Sequence, residues 1–142
     1  MIYHTQRAED WRDVAKKIIA ALPERQGATV LRMQGTLGAG KTTCTQAIAQ
    51  ELGVQEHVTS PTFVLMQLYE ATHPRFNRLV HIDAYRLEDS EEAAVLRLPE
   101  YFADPRTFMV VEWPENLEGL LPEDAITVKI DIVHEGRSIT IA

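Results

Sequence analysis

The feature that most constrains this chain is a glycine-rich segment placed between a β-rich run and a helical pattern. The run Ala28–Met33 (ATVLRM) predicts a short strand, and the segment Gly35–Thr43 (GTLGAGKTT) follows almost directly. One stripe of a predicted helix comes next, formed by Cys44, Ala47, Ile48 and Leu52. Strand, loop and helix in this order match the phosphate-binding pattern G-x-x-x-x-G-K-[ST] in the context that it requires.

The residue types of this loop suit a chain of phosphates. Glycines let consecutive backbone N–H groups turn inward, and the helix N-terminus adds unpaired donors and partial positive charge. Lys41 can reach the β- and γ-phosphates, the hydroxyl of Thr42 can ligate Mg²⁺, and Thr43 is placed for a further phosphate contact. The alternative is a glycine-rich turn that only caps a helix. The predicted nucleotide-binding residues of the loop are Gly35, Leu37, Gly38, Ala39, Gly40, Lys41, Thr42 and Thr43.

Two acidic residues directly follow apolar runs that predict strands. Glu112 follows Phe108–Val111, and Asp83 follows Leu79–Ile82. A nucleotide-hydrolysing loop needs a carboxylate at the end of a neighbouring strand, to hold Mg²⁺ or to polarise water. Each acid by itself could equally be a helix cap or a solvated strand end. Beside a phosphate loop, both become candidate site residues.

Three further features have both a functional and a structural interpretation. The hydroxyls of Thr59–Thr62 (TSPT) could sense the γ-phosphate from a mobile loop, or the segment could be an ordinary Ser-Pro turn. Trp113 could pack on a substrate or partner, or could be a core aromatic at a strand end. Cys44 is expected to pack in the core, because a small buried thiol is common.

The whole chain reads as one α/β domain, residues 1–142. Strands alternate with helices over most of its length, beginning with an amphipathic helix over Ala8–Leu22. This pattern predicts a mostly parallel sheet, and the alternating runs 125–133 and 138–142 predict an antiparallel C-terminal hairpin.

Composition limits the partners and the compartment. The net charge of −7 argues against direct binding of nucleic acid, which needs clustered Lys and Arg. No signal peptide is apparent, no apolar stretch approaches the roughly 20 residues that span a bilayer, and the single cysteine suits a reducing cytosol. We therefore expect a cytoplasmic protein without a membrane partner, and another subunit to grip any nucleic acid.

Four motifs together resemble those of the TsaE (YjeE) family. GTLGAGKTT, TSPTFVLMQLYE, HIDAYRL and VVEWPENL occur here in the family's order, over about residues 28–117. The family consists of small bacterial P-loop ATPases of tRNA threonylcarbamoyladenosine synthesis. The resemblance implies a P-loop NTPase-like three-layer sandwich. It also implies ATP and ADP as ligands, Mg²⁺ as cofactor, and the proteins TsaB and TsaD as partners.

The resemblance also implies roles for individual residues. Lys41 would bind the phosphates, Thr42 and Glu112 would ligate Mg²⁺, and Asp83 would act near the metal or the attacking water. Ser60 and Thr62 would belong to a switch-like or partner-binding loop, together with Trp113. TsaD transfers the threonylcarbamoyl group to adenosine 37 of tRNAs that read codons beginning with A. The ATPase subunit would regulate or reset that assembly, and tRNA would be held by the partners.

The first helix departs from the family pattern. The family usually has ETxxLGxxLA, with a threonine near the nucleotide base, whereas this chain has EDWRDVAKKI. Trp11 and Ala15 occupy the threonine and glycine positions. Trp11 is therefore a candidate nucleotide-binding residue that could stack on the adenine instead, although a tryptophan on such a helix is more often part of the core.

Two other functions use the same loop. A small-molecule or nucleoside kinase would need an acceptor pocket and a lid, and no arginine-rich lid segment is visible. A non-catalytic sensor would use ATP only to order the TSPT loop for docking. The lysine, the threonine and the two acids argue against an inactive site.

Overall fold

A seven-stranded sheet runs through the part of the chain that the computed structural model describes, residues 1–59, 65–87, 94 and 96–142. The strands are β1 (Ile2–Thr5), β2 (Thr29–Gln34), β3 (Met66–Glu70), β4 (Arg78–Asp83), β5 (Thr107–Glu112), β6 (Ile126–Val133) and β7 (Gly136–Ile141). The helices are α1 (Asp10–Ala21), α2 (Lys41–Glu51) and α3 (Leu98–Phe102), with a 3₁₀ helix at Pro114–Leu117. The strand order is β1-β7-β6-β2-β5-β4-β3.

The centre of the sheet is parallel and both of its edges are antiparallel. Strand β2 lies between β5 and β6, and β5 also pairs with β4, all in parallel. Strands β6 and β7 form the predicted C-terminal hairpin. Antiparallel pairing extends further than predicted, because β3 pairs with β4 as well. The short connection 71–77 between them forces this direction, since a parallel crossover needs a dozen or more residues.

The edge strand β1 was not predicted from the sequence. It pairs antiparallel with β7, in a register that places Thr5 opposite Arg137. Only Thr5 of its four residues is buried. The segment IYHT therefore carries little hydrophobic signal, and pairing with a strand more than 130 residues away supplies its order.

Two apolar cores confirm the three-layer sandwich. Leu31 and Met33 of β2 point into the core beneath α1 and α2. Val30, on the opposite face of the same strand, belongs to the core that includes Leu98 of α3 and Leu117. Alternate residues of a strand point to opposite faces, so β2 is buried on both sides, as a central parallel strand requires. Within the described ranges, no helix combines the length and the apolar character needed to cross a membrane.

Cys44 lies in the core as predicted and is expected to be chemically inert. Its side chain is 1% exposed, and burial raises the pKa of the thiol to about 12. The thiolate is the reactive species, so at about pH 8 the native protein should not react with a chromogenic disulfide reagent over minutes. The same protein in guanidinium chloride should release one equivalent of chromophore. Rapid reaction of the native protein would contradict this assignment.

Candidate functional site

The glycine-rich loop joins β2 to α2, which is the context that the phosphate-binding pattern requires. Gly38 has φ +79° and Gly40 has φ +119°, in the left-handed region that favours glycine. An added Cβ at Gly40 would lie 2.8 Å from Cζ2 of Trp11, and one at Gly35 would lie 2.9 Å from the carbonyl oxygen of Ile130. The loop is therefore packed against α1 and β6, and it leads directly into the N-terminus of α2, where backbone N–H groups lack helical partners.

The other loop residues differ in their environment. Leu37 is 89% exposed. Any contact of Leu37 with a phosphate would therefore come from its main-chain N–H and not from its side chain. Thr42 is half-buried in the first turn of α2, and Thr43 is exposed on the rim of a neighbouring cleft. Ala39 is buried, and its N–H donates to the carbonyl of Thr36, which closes the turn within the loop.

Lys41 and Trp113 are in contact at the carboxyl end of the parallel strands. The ammonium Nζ of Lys41 lies 4.2 Å from the centroid of the Trp113 ring, a cation–π contact. The ring of Tyr85 lies 5.0 Å from that of Trp113 on centroids. Trp113 has φ +56°, an uncommon conformation for a bulky residue that costs on the order of 1–3 kcal/mol. The tryptophan is thus held beside the phosphate loop, rather than only filling the core behind it.

The structure brings the two predicted acids together. Asp83 and Glu112 are register partners at the carboxyl ends of the parallel strands β4 and β5. The N–H of Ala84 donates to the Glu112 carbonyl at 3.1 Å, and Nδ2 of Asn116 donates to the Ala84 carbonyl at 2.7 Å. These bonds tie the two strand ends to each other, so the carboxylates share one edge of the sheet with the phosphate loop.

His81 is a site residue that the sequence analysis missed. Its Nε2 lies 2.6 Å from Oε2 of Glu112, and the His81 side chain is fully buried. Within the described residues, Nδ1 of His81 has no hydrogen-bond partner. A carboxylate oxygen accepts, so Nε2 is the donating nitrogen of this pair, and the contact fixes the orientation of the Glu112 side chain.

Replacing His81 by leucine should destabilise the protein. The carboxylate of Glu112 is 4% exposed and would lose its donor, so the free energy of unfolding should fall by about 2–3 kcal/mol. His81→Gln, which can still donate to the carboxylate, should lose clearly less. Urea unfolding followed by circular dichroism measures both, with His4→Gln as the exposed control. Equal stability of His81→Leu and the wild type would show that the hydrogen bond contributes nothing.

The donor set at this edge suits Mg²⁺. One oxygen of each acid is used within the protein, Oε2 of Glu112 by His81 and Oδ1 of Asp83 by the N–H of Tyr85 at 3.0 Å. The second oxygen of each carboxylate and the Thr42 hydroxyl are hard ligands of the type that Mg²⁺ prefers. Among the described residues, no three His, Cys, Asp or Glu side chains form a metal-binding group by themselves.

Trp11 borders an open cleft beside the loop. The cleft has a volume of about 230 Å³, and it is lined by Thr5, Gln6, Arg7, Ala8, Trp11, Gly38, Gly40, Thr43, Gly136 and Arg137. Trp11 is only 7% exposed, and its ring packs on Gly40 and the core under α1. Stacking of this ring on adenine stays a prediction. Ser60 and Thr62 lie outside the described residues.

Comparisons with known proteins identify relatives over most of the chain. The family model "Threonylcarbamoyl adenosine biosynthesis protein TsaE" matches residues 5–139. The tRNA threonylcarbamoyladenosine biosynthesis protein TsaE of Haemophilus influenzae is 38% identical over 112 residues, covering 79% of this chain and 68% of the relative. The protein of that name from Bacillus subtilis is 36% identical over 129 residues, covering 90% of this chain and 75% of the relative.

A solved structure supports the fold. The crystal structure of Bacillus subtilis YdiB superimposes with a TM-score of 0.73 and 29% sequence identity, covering 99% of this chain and 83% of that one. These matches confirm the resemblance seen in the four motifs and the P-loop-like arrangement of the sheet.

Proposed function

Because this chain belongs to the TsaE family of threonylcarbamoyl adenosine biosynthesis proteins, we propose that it binds and hydrolyses ATP in the service of that tRNA modification. It acts with the TsaB and TsaD proteins, which modify adenosine 37 in tRNAs reading codons that begin with A. Its own role is to regulate or reset that assembly, whereas TsaD carries out the transfer. Hydrolysis is slow in the isolated protein and faster in the presence of the partners.

One observation carries this proposal: the lysine of the glycine-rich loop lies at the same edge of the sheet as two acids that end neighbouring parallel strands. Lys41 begins α2 and contacts Trp113, the residue that directly follows Glu112. Asp83 and Glu112 are register partners. Cationic and anionic groups at one sheet edge are what a Mg²⁺–triphosphate needs, because the lysine complements the phosphates and the acids complement the cation.

The residues divide the work among themselves. Backbone amides of the loop hold the phosphate oxygens, and Lys41 moves from the face of Trp113 to the β- and γ-phosphates. Thr42 and Glu112 would hold Mg²⁺, which supplies charge neutralisation on the phosphates. Asp83 has an oxygen available to orient a water for attack on the γ-phosphate. His81 fixes the orientation of Glu112, which makes His81 a positioning residue.

The charge of the protein agrees with this division of labour. A net charge of −7 does not favour binding of an RNA backbone. We therefore assign tRNA binding to the partner subunits, so that this chain meets tRNA only indirectly. We assign the protein to the cytoplasm, where tRNA modification takes place.

Phosphate release from Mg²⁺–ATP tests the proposal. Purified protein should release phosphate slowly, and addition of TsaB and TsaD should increase the rate by about tenfold or more. Release without any acceptor molecule would exclude an obligate kinase. If no phosphate is released under any condition while ATP still binds, the sensor function replaces the ATPase.

A further inference from the structure

Arg137, at the start of β7, reaches across to the phosphate loop. Its Nε donates to the carbonyl of Ala39 at 2.8 Å, and its Nη2 lies 3.4 Å from the carbonyl of Gly38. Its Nη1 donates to the carbonyl of Gly136 at 2.9 Å. The guanidinium therefore joins the C-terminal hairpin to the loop across 98 positions of sequence.

The end of the hairpin is built to present this arginine. Gly136 has φ +119°, and a Cβ at this position would lie 1.8 Å from the carbonyl oxygen of Thr5. Only glycine allows β7 to begin so close to the end of β1. Arg137 is then the register partner of Thr5, at the rim of the cleft that borders the loop. Among the described residues, the hydrogen-bond partners of its guanidinium are carbonyl oxygens, and none of them carries a formal negative charge.

The hydrogen bond from Arg137 to the Ala39 carbonyl also fixes the direction of the following N–H group, that of Gly40. The peptide group is planar, and the described backbone contains no cis peptide bond. In a trans peptide the C=O and the following N–H point in opposite directions. With the Ala39 carbonyl held on Arg137, the N–H of Gly40 points away from the hairpin. Gly40 is the N-cap of α2, where the loop amides and the helix N-terminus converge.

We propose that Arg137 is a positioning residue that holds the phosphate loop in its binding conformation before nucleotide arrives. This inference rests on the proposed function, in which the loop binds the phosphates of ATP. Glycines make the loop intrinsically flexible, so a free loop would have to be ordered at the moment of binding. The guanidinium of Arg137 reduces the entropic cost of ordering the loop, because its hydrogen bonds hold the successive carbonyls of Gly38 and Ala39 in the folded protein.

Nucleotide affinity is the first measurement. Arg137→Met keeps the apolar stem and removes the donors, and it should raise the Kd for ADP and ATP by about tenfold in calorimetry. Arg137→Lys keeps the positive charge but lacks the several N–H donors of a guanidinium, and it should still bind nucleotide several-fold more weakly than the wild type. The matched control is Arg75→Met. Arg75 donates to the carbonyls of Leu22 and Pro23, both at 2.9 Å, beyond the far end of α1.

The control separates positioning from general stability. Arg75→Met should lower the melting temperature and leave nucleotide affinity unchanged. Full recovery of affinity in Arg137→Lys would overturn the proposal, because charge alone would then suffice. An unchanged Kd in Arg137→Met would overturn it as well, and so would equal losses of affinity in Arg137→Met and Arg75→Met.

Hydrogen exchange of the loop amides tests, in the absence of nucleotide, whether Arg137 orders the loop. Amides of residues 36–43 should exchange about tenfold faster in Arg137→Met than in the wild type or Arg75→Met, under conditions where all three are folded. Equal exchange in all three proteins would overturn the proposal. If the wild type binds neither ATP nor ADP, the proposed function fails, and the exchange data still show whether Arg137 orders the loop.

Discussion

Replacing Lys41 by alanine is expected to abolish calorimetrically detectable binding of ATP and ADP to the folded protein. Lys41 as a residue is only 7% exposed, and its ammonium lies 4.2 Å from the Trp113 ring centroid, so it can reach a phosphate at little desolvation cost. Its hydrogen bonds to phosphate would be charge-assisted and shielded from water. We expect the Kd to rise by at least about 100-fold, which corresponds to roughly 3 kcal/mol.

Two variants make this result specific. Lys41→Met keeps an apolar side chain against Trp113, and it should lose as much affinity as Lys41→Ala if the charge is what matters. Lys16→Ala removes an exposed lysine of α1, and its affinity should equal that of the wild type. Tight binding of nucleotide by Lys41→Met would remove the basis for assigning the loop to phosphate.

The second large effect is expected for Glu112→Gln. This change keeps the size of the side chain and an oxygen that can accept from His81, but it removes the charge. We expect Mg²⁺-dependent ATP turnover to fall by at least about 100-fold, whereas binding of ADP without Mg²⁺ should stay close to that of the wild type. Phosphate release over a series of Mg²⁺ concentrations and calorimetry in a chelator give the two values.

Asp83→Asn provides the comparison. If Asp83 orients water and Glu112 holds the cation, Asp83→Asn should lower turnover at saturating Mg²⁺ without changing the Mg²⁺ concentration needed for half-maximal rate. Glu112→Gln should raise that concentration. A Glu112→Gln protein with the wild-type Mg²⁺ response would refute the ligand role.

The central strands, the loop and both acids could be predicted because their signals are local. Thr107–Glu112 is apolar apart from its ends, and the loop pattern lies within nine residues of sequence. Parallel strands with acids at their carboxyl ends bring those acids to one edge without further information.

His81 and Arg137 could not be predicted because their partners are fixed by register. The parallel pairing places Asp83 opposite Glu112, and the period of two residues puts His81 on the same face as Asp83. Contact between His81 and Glu112 follows from that diagonal arrangement. Arg137 meets Ala39 only because β7 lies between β1 and β6 in the sheet order. No pattern within a short window of sequence predicts the contact of His81 with Glu112 or that of Arg137 with Ala39.

The two tryptophans make the intrinsic fluorescence of this protein a reporter of one site. The chain contains only Trp11 and Trp113. The ring of Trp11 packs on Gly40, and that of Trp113 lies under the ammonium of Lys41. All tryptophan emission therefore comes from two indoles that contact neighbouring residues of the loop, Gly40 and Lys41. Occupancy of the loop can be followed by the colour and intensity of ultraviolet emission, with no attached dye.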